Sequence, residues 1–381
     1  MSTLINVRSP YYIKIEPTNP SNTLEYAQME LYIYVGAFQS TPTSAELRYT
    51  LTKNPIGTNN FVVFEISELI RDYLEIEFNG DYNSYAVWVR PVFEYKTTEA
   101  GVINPTPVDY IGIDGYGYFE QGANYTLTDE VGLMMTNHTL YVQSNYDLHV
   151  PVFSEKNTTV DFYCGNELVH TEATAAVTNT DDMIVYAQLE NAEDYQDRVE
   201  TAGGTFVGST CLTSFMEALE SCVTQVVVNT ASSSTTVNVY YLDECRYTPH
   251  RVTFVNKFGA FQDIWFFKKS VESSSVKGEQ YKASIFSQAD LSYKTYQHQQ
   301  QSFLVNGKDS IVMNTGFVND DYNNVIKELM LSEQIWYLDN GQTIPLQIKT
   351  KDVTYKTSNN EKLADYTIEF ERAFDIINNI R

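Results

Sequence analysis

Residues 251–269 read "RVTFVNKFGAFQDIWFFKK", and this stretch decides the fold class. Val252 and Phe254 on one side of "NKFGAF", and Ile264 and Phe266 on the other, recur at period two. Two short strands joined by a glycine-containing turn account for that spacing better than a helix does. The surrounding chain carries 29 Tyr and 20 Phe, residue types that suit a pleated, half-buried surface. The expected fold is therefore mainly β, a multidomain β-sandwich of the immunoglobulin or fibronectin sort with a few short helices. A length of 381 residues exceeds what one hydrophobic core usually serves. Three domains are expected: an N-terminal β-sandwich over 1–130, an acidic β-rich middle domain over 131–250, and a C-terminal β-rich assembly domain over 251–381.

Upstream of the hairpin, "YYIKI", "MELYIYVG", "AELRYTLT", "NFVVFEI", "SYAVWVRPVFEY" and "VDYIGIDGYGYF" read as successive strands separated by Pro, Asn, Gly and Thr. One helix interrupts them: in "EISELIRDYLEIE", Ile66, Leu69, Ile70, Tyr73 and Leu74 follow helical spacing, with Ser67 placed to cap the first amides. In the middle third, "CGNE" fits a tight turn between hairpin arms, and "TSFMEALESCV" carries a capping box, Ser214 with Glu217. Downstream, "NDDYNNVIKELMLS" reads as a helix capped near Asn319 or Asp320. "EQIWYLDNGQTIPLQIKT" reads as a hairpin about "DNG", with Pro345 implying an edge strand. A last pair of strands flanks "SNNEK", with Tyr366, Ile368 and Phe370 on one face.

The formal charge is -24. Backbone binding to nucleic acid depends on Lys and Arg displacing counterions, so general affinity for DNA is excluded. The net charge is most negative over residues 131–249, where basic residues are fewest, and the last third is nearly neutral. Cys164, Cys211, Cys222 and Cys245 lack a C-x-x-C spacing and read as buried or half-exposed thiols, with one disulfide as the alternative. The N-terminal residues lack the basic and apolar pattern of a signal peptide, and no apolar run approaches a membrane span, so a soluble start in the cytoplasm and no membrane insertion are expected.

Catalytic signatures are missing from the pattern. There is no G-x-S-x-G elbow, no Cys/His signature and no H-E-x-x-H, and the five histidines are scattered. Forty-nine acids make any nominated glycosidase pair uninformative. "NGDYNS" and "VNDDYNN" gather oxygen ligands without matching a calcium loop, and turn or cap roles explain them. No cofactor and no enzymatic activity are expected.

Three stretches carry a resemblance. The hairpin itself, "RSPYYIKIE" (8–16) followed by "VFEISELIRDYLE" (63–75), and the closing "LMLSEQIWYL" with "PLQIKTKDVTYKTSNNEKLADYTIEFERAFDIINNI" are similar to segments of virion proteins from tailed phages that infect Bacteroidota, including crAss-like phages. The resemblance implies a structural neck or tail component, a ring subunit below the portal, present in six or twelve copies and part of the DNA conduit. Its implied partners are copies of itself, the portal, adjacent tail and neck proteins, and genomic DNA that passes without specific binding. Its implied location is the virion, after assembly in the bacterial host cytoplasm. An acidic lumen repels phosphates without holding them, and Asp181, Asp182, Glu190, Glu193, Asp194 and Asp197 are candidates for that wall. Phe258, Phe261, Trp265 and Trp336 are the subunit-interface candidates, with a place in their own core as the plain alternative for each. The competing readings are a receptor-binding tail fibre, collar spike or fibre adaptor, and a virion-associated glycan or peptidoglycan hydrolase.

Overall fold

The structure is a computed structural model that describes residues 3–126, 132–144, 146–154, 158–174, 178–189, 223–339, 341–353 and 363–378. The chain is mainly β and divides into two compact units that interleave in sequence. The first comprises Met1–Asp243, Thr253–Ile264 and Asp321–Ser332; the second comprises Glu244–Val252, Trp265–Asp320 and Glu333–Arg381.

The first unit opens with a sandwich. Its main sheet combines β1 (Thr3–Asn6), β3 (Leu24–Tyr34), β4 (Leu47–Lys53), β6 (Ala86–Thr97), β7 (Gly101–Ile103) and β8 (Tyr110–Ile113) in the order β1-β8-β6-β3-β4, with β7 on β6. Over its inner face lie β2 (Tyr12–Ile15), paired with β5 (Val62–Glu65), and the short helix α1 (Ser67–Arg71). Period two explains the core: Met29, Leu31 and Ile33, and Val87 and Val89, meet Phe64, Ile66 and Ile70 with no more than 1% exposure. The helix is shorter than its apolar stripe suggests. Ser67 is its first residue and not its cap; Glu65 accepts hydrogen bonds from both the Ser67 amide and its hydroxyl. Gly112 lets α1 approach, since a Cβ there would meet Ile70 Cγ2 at 2.6 Å.

A second sandwich follows within the same unit. One layer is β9 (Thr139–Gln143), β11 (Thr159–Cys164), β12 (Glu167–Ala173), β14 (Gln225–Asn229) and β15 (Ser234–Leu242), ordered β12-β11-β14-β15-β9. The other is β10 (Leu148–Phe153) paired with β13 (Ile184–Leu189). Valines dominate its core: Val150, Val152, Val160, Val226, Val228 and Val237 are buried. The expected turn at "CGNE" joins β11 to β12, with Gly165 at φ 61°. Cys164 is disulfide-bonded, which agrees with the disulfide alternative, and Cys245 is a free, exposed thiol. The capping box at Ser214 and Glu217 lies outside the described residues.

The decisive hairpin is present as β16 (His250–Val255) and β17 (Phe261–Phe266). Its polar positions are not a solvated face, because nearly every residue from His250 to Phe266 is buried. The distal halves and the turn, 253–264, belong to the first unit, as does helix α2 (Tyr322–Leu331). Tyr322, Val325, Ile326 and Leu329 form the buried stripe of α2. Its cap position is Asp321, with no side-chain hydrogen bond, where Asn319 or Asp320 was expected.

The second unit is built on one sheet, ordered β17-β16-β21-β22-β24-β19-β18, from β18 (Val271–Lys282), β19 (Gln300–Asn314), β21 (Ile335–Asp339), β22 (Gln342–Ile348) and β24 (Thr367–Arg372). A short pair, β20 (Val318–Asn319) and β23 (Leu363–Ala364), accompanies it. The "DNG" hairpin forms as expected, with Gly341 at φ 76°. Pro345 is not on an edge strand, since β22 lies between β21 and β24. Its carbonyl accepts from Ala373 just beyond the last residue of β24, so its missing N–H falls where that ladder ends. Tyr366, Ile368 and Phe370 share the buried face, as their alternation requires. The "SNNEK" turn lies outside the described residues.

Candidate functional site

The turn of the β16/β17 hairpin is the most polar part of the first unit's interior. Asn256 is fully buried and makes four hydrogen bonds. Its Oδ1 accepts from the amides of Phe258 at 2.9 Å and Ala260 at 3.2 Å, while its Nδ2 donates to Met134 O at 2.7 Å and Gln262 Oε1 at 3.1 Å. Gln262 in turn donates to Asn137 Oδ1 at 2.9 Å. Nearby, Asp263 accepts from the hydroxyls of Tyr82 and Thr253, both at 2.6 Å, and faces His149 Nδ1 at 3.5 Å, with the His149 ring stacked on Tyr82. On α2, the buried Glu328 carboxylate accepts from Thr136 Oγ1 and from the Lys257 amide. Burial holds the Glu328 carboxyl above the usual carboxylate range, against the opposing pull of those donors and of the Lys257 and Lys327 charges. The amides and carboxylates of these clusters are occupied by neighbouring side chains and backbone. Their arrangement fixes the hairpin.

In the second unit, His250 sits between Tyr337 Oη, 2.8 Å from Nδ1, and Ser270 Oγ, 2.9 Å from Nε2. Burial lowers the His250 pKa, outweighing the acids Asp339 and Glu272. A serine–histidine contact can serve as a nucleophile and base when a carboxylate steadies the imidazolium. Here the orienting group is a phenol whose own pKa burial raises, so the imidazolium lacks that support. No group of three or more His, Cys, Asp or Glu that could hold a metal ion occurs among the described residues. No helix among them is long and apolar enough to cross a membrane.

What the second unit offers is an arm. Between Val276 and Val305 the chain runs out along β18 and back along β19 as a two-stranded ribbon, and all twelve residues of β18 are exposed. β18 ends the sheet order, leaving its outer edge unpaired among the described strands. A two-stranded ribbon is at best marginally stable alone in water. This one also exposes Val276, Tyr281, Phe286, Leu291, Tyr293, Tyr296, Phe303 and Leu304. Tyr281 and Phe303 meet edge to face at 5.7 Å, the cross-strand contact that keeps the ribbon together. At the tip, Ser287 and Ser292 bridge, and residues 288–291 form the turn between them. Leu291 occupies that turn at φ 47° and 78% exposure. A side chain with a Cβ adopts this left-handed conformation at a cost of about 1 kcal/mol.

The arm also differs in charge from the chain as a whole. Residues 276–305 contain three of the chain's 25 basic residues and two of its 49 acids, so the arm is +1 and the remainder is -25. Period-two reading does not find β18, because "VESSSVKGEQYK" has no apolar face to bury.

The first unit contains a cavity of about 410 Å³ whose walls include Tyr34, Tyr73, Leu74, Tyr85 and Val87. Exposed carboxylates of Glu75 and Asp181 stand at it. Arg48 also lines it, held by a 3.1 Å hydrogen bond to Ile33 O and lying over the Tyr73 ring at 5.0 Å. The Asp181 side is anchored by backbone bonds, from Thr180 N to Gly36 O at 3.1 Å and from Phe38 N to Thr178 O at 2.8 Å.

The structure separates the expected site residues. Phe261 is buried among Phe78, Tyr82, Tyr85 and Tyr186, and its amide donates to Tyr186 Oη. Trp265 is 3% exposed and stacks near Phe267. Burial in their own units leaves little of either ring for a subunit contact. Phe258 and Trp336 are half-buried. Asp181 and Asp182 are exposed on a 3-10 turn. Glu190, Glu193, Asp194 and Asp197 lie outside the described residues.

No protein-family model matches the chain, and no curated protein matches it. Among solved structures, CBD12 from CALX1.2 aligns over 63% of this chain and 97% of its own, at 10% identity and a TM-score of 0.19. A likeness that slight carries no argument about function.

Proposed function

We propose that this chain is a structural component of a tailed-phage virion, a neck or tail ring subunit that forms part of the DNA conduit by assembling with copies of itself. The observation that carries the reading is the arm from Val276 to Val305, which leaves a series of aromatic and aliphatic side chains exposed. Exposed apolar surface on that scale marks a protein whose working state includes a partner. The sequence resemblance to crAss-like phage virion proteins supplies the setting, the virion neck or tail. The acidic body supports the conduit, because carboxylates repeated around an axis repel the phosphates of passing DNA. Part of the acidic segment 131–249 is assigned to that channel wall.

The test is the symmetry and mass of the assembled protein. Cryo-electron microscopy of the virion neck should show this chain in a six- or twelvefold ring under the portal. A trimer at a fibre tip would transfer the reading to receptor binding. A lone chain that degrades host envelope glycan would overturn it in favour of an enzyme.

A further inference from the structure

We infer that the tip of the arm docks into the aromatic cavity of a second copy of this chain, Leu291 and Tyr293 entering it and Lys294 meeting Glu75 and Asp181 at its edge. The inference rests on the self-assembling reading above and names the surfaces that reading leaves open.

Three observations point to a second copy as the occupant. The first is charge. With the arm 276–305 at +1 and the rest of the chain at -25, contacts between two bodies are repulsive, and contact of an arm with a neighbouring body avoids that repulsion. Arm-to-arm pairing gains nothing from charge, since both carry the same sign. The second is chemical match. The tip presents Leu291 at 78% and Tyr293 at 65% exposure, with Lys294 next to them. The cavity presents tyrosine rings and aliphatic side chains with two exposed carboxylates beside them, and Arg48 held back against Tyr73 and the Ile33 carbonyl. Its volume of about 410 Å³ falls within the range of cavities that enclose small ligands, so it admits one or two side chains and no folded element. The third is strain. Leu291 is held in a left-handed conformation at the outermost turn of the arm, where glycine would serve without cost and where the side chain touches no core. Strain of that kind at an exposed position is a reason to look for function. A tip-to-cavity contact is heterologous, one surface of each copy meeting a different surface of the next, and such contacts build a ring where the rotation between copies closes.

The test uses the full chain and its mass distribution by mass photometry and sedimentation at low and high salt. Wild-type protein should assemble, and assembly should weaken as salt rises. Leu291→Gly should leave melting of the unassembled chain unchanged or higher, because φ 47° suits glycine, and should weaken assembly roughly tenfold or more. Lys294→Glu and the pair Glu75→Lys with Asp181→Lys should each weaken it, and combining the three should restore part of the loss. Mixing the Lys294→Glu chain with the Glu75→Lys, Asp181→Lys chain pairs an intact tip with an intact cavity and a reversed tip with a reversed cavity, so mixed oligomers should appear that neither variant forms alone. Assembly of Leu291→Gly and Lys294→Glu with wild-type affinity would overturn the tip-to-cavity contact and leave the self-assembly reading standing. A wild-type chain that stays monomeric at every concentration and salt would overturn both.

Discussion

Replacing Asn256 by alanine is the sharpest perturbation of the hairpin from which the fold was read. The side chain is fully buried, and its removal strands four groups: the amides of Phe258 and Ala260, the Met134 carbonyl and Gln262 Oε1. An unsatisfied buried polar group costs about 1–3 kcal/mol. The space vacated by one carboxamide admits about one water, which makes 2–4 hydrogen bonds. With half the groups recovered, the net loss is about 3–5 kcal/mol. For a domain of this size each kcal/mol lowers Tm by roughly 2–4 °C, so the first unit should melt about 10 °C lower by scanning calorimetry. Asn256→Asp should be at least as damaging at neutral pH. It keeps the acceptor for the two amides and sets a second carboxylate oxygen against Met134 O and Gln262 Oε1, which offer no proton. Acidification should return part of that loss, because the protonated acid regains one donor. If Asn256→Ala melts within about 2 °C of wild type, the amide does not hold the turn, and the assignment of these hydrogen bonds as what fixes the hairpin fails.

Other outcomes follow from the same region. Gly259→Ala should cost more than about 2 kcal/mol, read as a fall in the urea midpoint, because Gly259 adopts φ +74° and an added Cβ would lie 2.9 Å from backbone atoms of Asp114. Glu328→Gln should change the pH dependence of stability. The folded-state pKa of Glu328 is raised, so its contribution is fully present below the ordinary glutamate range and is lost as pH rises through the folded value. The variant keeps one acceptor oxygen, for the Lys257 amide, can donate to the Thr136 hydroxyl in place of accepting from it, and loses this slope, so its stability relative to wild type should improve from pH 4 toward pH 7; an unchanged difference would rule out the burial penalty. Deleting residues 276–305 and closing the ribbon with Asn-Gly should leave both units folded by circular dichroism and abolish self-association, since no core residue lies in that span.

Elements that bury a patterned face were legible in the sequence, and elements whose partners lie far along the chain or outside it were not. The alternation of Tyr366, Ile368 and Phe370 and the stripe of Tyr322, Val325, Ile326 and Leu329 reappear as buried faces because one side of each element meets a core. The stripe at Ile66–Leu74 yields only α1, since Glu65 caps at Ser67 and the chain leaves the helix after Arg71. Pro345 misled for a local reason: its missing donor falls at a ladder end, which no sequence window reveals. The hairpin at 251–269 is legible as two strands, while the burial of its polar residues is not, because Asn256, Gln262 and Asp263 are consumed by Met134, Asn137, Tyr82 and His149, over a hundred positions upstream. The same physics explains why the arm escaped and why the aromatic candidates migrated inward. Phe261 and Trp265 are conspicuous in sequence because they are large, and large apolar groups gain most from a core of their own. Leu291, Tyr293 and Lys294 stand in an unpatterned stretch because their complementary surface is absent from their own unit. A partner surface is therefore better sought where a strand lacks a buried face and the charge departs from that of the rest of the chain than where aromatic residues are densest.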